Sequence, residues 1–75
     1  MHKEFVENEI KKLEEMILVT EINYRTLAGL QIKKPNDENI GKEATNSRAL
    51  LSGLKQKLGT ARALLKEIEN GEYTI

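Results

Sequence analysis

From Val6 to Leu27, apolar or small residues return in alternating steps of four and three: Val6, Ile10, Leu13, Ile17, Thr20, Tyr24 and Leu27. The second half of the chain repeats the steps at Ala44, Ser47, Leu51, Leu54, Leu58, Ala61, Leu65 and Ile68. A stripe with this spacing is the dry seam of an α-helix that packs on another helix, and neither half alternates with the period of two of a β-strand. Between the stripes, "KKPNDEN" holds the only proline, Pro35. The residue before a proline is pushed out of helical geometry, whereas Asn36 or Asp37 can cap a new helix whose positive end suits Asp37 and Glu38. Gly71 is placed to end that second helix. The pattern predicts an all-α chain with one domain over 1–75, an antiparallel two-helix hairpin resembling a coiled coil. Helix 1 is expected over about 3–32, the turn over about 33–36, helix 2 over about 37–70 and a short tail over 71–75.

Folding the halves back on each other predicts a register. Tyr24 falls opposite Ala44, Thr20 opposite Ser47, Ile17 opposite Leu51, Leu13 opposite Leu54, Ile10 opposite Leu58 and Val6 opposite Ala61, with the fold-back at Lys34 and Pro35. The same register explains a run that otherwise suggests phosphate binding. Residues 44–66 contain Arg48, Lys55, Lys57, Arg62 and Lys66 and no acid. Arg48, Lys55 and Arg62 are seven apart, as are Glu7, Glu14 and Glu21, and the expected pairs are Glu21 with Arg48, Glu14 with Lys55 and Glu7 with Arg62. Exposed pairs of this kind set direction and register more than they add stability.

One segment does not fit a lone hairpin. In "EEMILVTEI", Met16, Ile17, Leu18 and Val19 follow one another. Consecutive residues sit about 100° apart around a helix, so a single neighbour cannot cover all four. With Ile17 on the seam, Met16 and Val19 belong to a second stripe of Phe5, Glu9, Lys12, Met16, Val19, Asn23, Thr26 and Leu30, while Leu18 and Ile22 occupy another side. Helix 2 adds Leu50 and Leu64 on the flank away from its basic ladder. Gly53 lies on that flank opposite Met16, where a missing side chain leaves room for the methionine or for a close helix. A hairpin about 45 Å long has no third layer to cover these residues. The expected interface is therefore Phe5, Met16, Leu18, Val19, Ile22, Leu30, Leu50, Gly53 and Leu64. A second copy, giving a homo-oligomeric four-helix bundle of two or more chains, is its expected cover, together with an unidentified protein partner.

Composition narrows the chemistry. The 75 residues include no cysteine and one histidine, His2 at the terminus, so no disulfide framework, thiolate metal site or catalytic thiol is expected. A chain of this size without such staples gains much from oligomerisation. Twelve basic and twelve acidic residues cancel, which removes the overall cationic field of a dedicated nucleic-acid binder. The N-terminus lacks an apolar signal core and the longest apolar run is the quartet above, so a cytoplasmic protein that does not enter the membrane is expected. "IGKEAT" contains Gly41-Lys42 but has Glu43 where a phosphate-binding loop needs Ser or Thr. No acid–base or nucleophilic constellation stands out, and neither catalysis, a metal nor a cofactor is expected. The remaining candidate is an anion site near the turn, where Arg25, Lys33, Lys34, Asn36, Asn39 and Lys42 surround the start of helix 2. The functional expectation is a non-enzymatic interaction protein, a regulator, adaptor, chaperone or inhibitor. The alternative is a module for a phosphate-bearing ligand, through nucleotide sequestration or RNA binding.

Overall fold

A computed structural model describes residues 2–73 and consists of two helices, α1 from His2 to Lys33 and α2 from Glu38 to Glu69, packed along each other. The rod they form measures 54 Å by 14 Å by 14 Å between Cα extremes. Each helix is 32 residues long, so the middle of α1 lies between Ile17 and Leu18 and that of α2 between Gly53 and Leu54. Both helices end for local reasons. The Lys34 N–H makes the last bond of α1, to the Leu30 carbonyl at 2.8 Å. Pro35 then denies the helix a further donor. Lys34 to Asp37 form a turn in which the Asp37 N–H donates to the Lys34 carbonyl at 3.1 Å. Pro35 sits where its fixed φ already suits that turn.

Asp37 is the N-cap of α2. Its backbone is extended, and its carboxylate accepts from the Asn39 N–H at 3.0 Å and from the Ile40 N–H at 3.2 Å. Two of the donors that a helix start leaves without partners are satisfied in this way. At the other end Gly71 has φ of 72°, the left-handed conformation that glycine adopts without a Cβ penalty. Its N–H donates to the Ile68 carbonyl and that of Glu72 to the Glu67 carbonyl, the paired bonds of a Schellman cap. Tyr73 follows, while Thr74 and Ile75 of the expected tail lie outside the described residues.

Every residue of both expected seams is buried or half-buried, and Val6, Ala44, Leu51, Leu54 and Leu58 form the apolar core with Thr20. No side chain of this core is fully enclosed, as expected for two helices with a single contact line. The register, however, differs from the expected one. α1 runs to Lys33 and α2 begins only at Glu38, so the fold-back is centred between Pro35 and Asn36. That places Thr20 level with Leu51, Ile17 with Leu54 and Leu13 with Leu58, about half a heptad or roughly 5 Å from the expected pairing. Tyr24 lines a groove with Arg48 and Leu51.

The charged ladder moves with it. Glu14 meets Arg62, at 3.6 Å, and not Lys55. Among the described residues, neither Glu7 with Arg62 nor Glu21 with Arg48 forms an ion pair. Glu21 instead pairs with Arg25 one turn along α1, at 3.6 Å, and lines the groove that holds Arg48 and Lys55. Two seams that both step by threes and fours interlock equally well after a half-heptad slip, so the length of the turn decides between the registers. A double-mutant cycle checks the observed pair. Glu14→Lys and Arg62→Glu should each lower the urea midpoint slightly, and the double reversal should recover part of the loss. The coupling expected for this half-exposed pair is about 0.2–1 kcal/mol. The same cycle between Glu14 and Lys55 should be additive.

Candidate interaction surface

The two edges of the hairpin differ in chemistry. One edge carries Glu14 and Arg62, Glu21 and Arg25, and the groove lined by Arg48, Ser52 and Lys55. On the other edge, Phe5 of α1 and Leu64 of α2 line a common depression with Val6 and Ile68. Nearer the turn, Asn23 and Thr26 share a depression with Glu43 and Asn46. Heptad spacing fills in the rest of this edge. Lys12 follows Phe5 by seven residues, Val19 follows Lys12 and Thr26 follows Val19 by the same step. Met16 and Leu30 are each seven from Asn23, Leu50 is seven from Glu43, and Gly53 is seven from Asn46. Phe5, Met16, Val19, Leu30, Leu50, Gly53 and Leu64 therefore share one edge, to which both helices contribute.

That edge is wet in the single hairpin. Met16 is 50% exposed, Val19 59%, Leu50 56% and Phe5 66%. Leu30 is exposed as well, whereas Leu64 is half-buried beside Val6 and Ile68. Met16, Val19 and Leu50 lie within four residues of the helix midpoints, with Phe5 toward one end of the rod and Leu30 toward the other, so exposed apolar side chains run along the edge. Gly53 does not make room for Met16 as expected: nothing lies within 4 Å of where its Cβ would be, and the same is true of Gly59. Within the hairpin, neither glycine is required by packing.

Leu18 and Ile22 lie off the apolar edge, Leu18 toward the side of Arg25 and Ile22 beyond it. Each is 64% exposed on the outer side of α1. Their spacing of four makes them neighbours on the helix surface. Ile32 near the turn is the most exposed of the large apolar residues, and spacing of seven from Arg25, itself seven from Leu18, puts it on the same side.

The residues proposed for an anion site are divided. Lys33, Lys34, Asn36, Asn39 and Lys42 are exposed around the turn, but Arg25 lies two turns back along α1 and is engaged by Glu21. The start of α2 already holds a carboxylate, because Asp37 accepts from two of the N–H groups that an anion would use. Lys42 lines a shallow depression that also contains Glu38.

At the opposite end of the rod the first turn of α1 meets the last turn of α2 and Tyr73, a contact that the seam pattern does not indicate. Lys3 pairs with Glu69 at 3.5 Å, and the His2 and Tyr73 rings meet edge to face with centroids 6.5 Å apart. Helices of equal length bring the start of α1 beside the end of α2, so the meeting is implicit in the hairpin. Among the described residues, no three side chains of metal-ligating type lie together, no buried side-chain polar atom lacks a partner, and no helix is long and apolar enough to cross a membrane. No protein-family model, curated protein or solved structure matches this chain.

Proposed function

We propose that the chain is a non-enzymatic interaction protein that pairs with a second copy through its apolar edge and offers the outer side of α1 to another protein. The observation that carries this reading is the band of exposed large apolar residues that both helices contribute to one edge, on a chain whose own core is a single line of contact. Scattered exposed apolar side chains are ordinary on a protein surface, but a band contributed by two helices is the form of a partner surface. The regions left over also suit this reading. Leu18 and Ile22 remain outside the shared edge, and residues at i and i+4 are how a helix presents itself to a groove or a second helix. Cytoplasmic location and a regulatory, adaptor, chaperone or inhibitory role belong to the same proposal.

Recognition of a phosphate-bearing ligand is less well supported, because Asp37 competes for the N–H groups at the start of α2. The two readings part in salt. Phosphate recognition weakens steeply as salt rises, and apolar docking does not. Wild type is expected to show no binding of nucleotides or short RNA at moderate salt, and replacing Lys33, Lys34 and Lys42 together with serine should change nothing. A Leu18→Ser, Ile22→Ser double variant should stay folded and self-associated but lose its cellular protein partner. Salt-sensitive RNA binding by wild type that the triple lysine variant lacks would overturn the proposal.

A further inference from the structure

The second stripe of α1 reads the same in chemistry from either end. Its eight positions are Phe5, Glu9, Lys12, Met16, Val19, Asn23, Thr26 and Leu30. Turned end for end about the midpoint between Ile17 and Leu18, Phe5 falls on Leu30, Glu9 on Thr26, Lys12 on Asn23 and Met16 on Val19. Apolar meets apolar and polar meets polar at all four pairs, and no charge meets its like. The midpoint of this symmetry is also the midpoint of α1 as observed, His2 to Lys33.

From this we infer that the protein forms a two-fold symmetric dimer in which α1 packs antiparallel on α1 of the partner copy, with Met16 against Val19 at the axis. This rests on the self-association proposed above and specifies its geometry. A two-fold axis requires the same patch on both copies, with each contact made twice, and the stripe meets that requirement. The area of the rod points the same way. One face measures 54 Å by 14 Å. Side chains widen that Cα rectangle, and its surface is of the order of the roughly 800 Å² per partner that a stable pair buries. Only an arrangement in which the rods overlap along their full length uses the whole face, and an axis at mid-rod produces that overlap. The same axis lays the α2 side of the edge, with Leu50, Gly53, Lys57 and Leu64, against its own counterpart, so that Leu50 falls along the aliphatic stem of the partner's Lys57 and the open space beside Gly53 admits a close neighbour. The charged edge with Glu14 and Arg62 stays outside, in water. A four-helix bundle results, with Leu18 and Ile22 still accessible.

The cysteine-free chain permits a direct test by disulfide trapping. In a Lys12→Cys, Asn23→Cys double variant the two thiols are eleven residues apart on one helix, about 16 Å. That is far beyond the Cα separation of about 7 Å that a disulfide spans. Under mild oxidation most of this variant should become covalent dimer, while Lys12→Cys and Asn23→Cys alone should stay largely uncrosslinked. The Phe5→Cys, Leu30→Cys pair repeats the test at the ends of the stripe, and circular dichroism confirms that each variant is helical. Efficient crosslinking of the single variants, as a parallel or shifted pairing would give, overturns the geometry. So does failure of both double variants to crosslink when sedimentation shows a dimer, and in that case self-association survives without this register. If the helical variants and wild type all sediment as monomers, both readings fall.

Discussion

Leu54→Ala is expected to bring the hairpin close to its unfolding midpoint at room temperature when the protein is dilute. Leu54 is the most buried of the core residues, 4% exposed, and lies at the middle of α2, level with Ile17 on the seam. Removing a buried leucine side chain costs about 2–5 kcal/mol, made up of lost transfer free energy and the cavity left behind. A small single-core domain has a total stability near the low end of about 5–15 kcal/mol, so a single substitution consumes much of it. Circular dichroism should show a large loss of helix, and the remaining signal should rise with protein concentration because assembly and folding are linked. Leu50→Ala provides the contrast. Leu50 is exposed on the apolar edge, so this variant should retain its helicity and lose affinity for the second copy. Equal loss of helix in the two variants would show that the seam is not the core.

Val19→Glu should dissociate the protein without unfolding it. Val19 is exposed in the hairpin. Glutamate is a better helix former than valine, which offsets the mild repulsion from Glu15 four residues back, so the helix is expected to survive the change. At the proposed axis, however, Val19 meets Met16 of the other copy, and the symmetry introduces two carboxylates into one apolar contact. A charge taken out of water without a partner costs several kcal/mol. Even about 3 kcal/mol weakens dimerisation more than a hundredfold. Sedimentation should report a helical monomer at concentrations where wild type is associated. Ser52→Glu serves as the control, since Ser52 lies on the charged edge beside Arg48 and Lys55 and its change should leave assembly intact. A Val19→Glu protein that still associates as wild type does would remove the apolar edge from consideration.

The hairpin could be read from the sequence because its determinants are local or periodic. Pro35, the Asp37 cap and Gly71 act within a few residues, and the three-four spacing of Val6 to Leu27 and Ala44 to Ile68 marks the buried side of each helix. The register could not be read the same way. A periodic seam matches its partner again after half a heptad, and the choice rests on where α1 stops and α2 starts, a matter of a residue or two on each side of the turn. The Glu14 pairing followed that choice, moving from Lys55 to Arg62. At the candidate surface, spacing alone indicates which residues share the edge, and Phe5 and Leu64 line one depression there. Spacing did not show that the flank at Gly53 is open and not filled by Met16, because the two cases have the same sequence until the neighbouring backbone is in place. The contact between His2 and Tyr73 depends on the equal lengths of the two helices, which are evident only once both ends are known.

Whether a second copy covers the apolar edge is tested most directly by sedimentation equilibrium of the wild-type chain across the micromolar range. One chain has a mass of 8.5 kDa. The expected result is a two-fold pair of about 17 kDa that dissociates only on dilution. A fully helical species of 8.5 kDa throughout that range would contradict it.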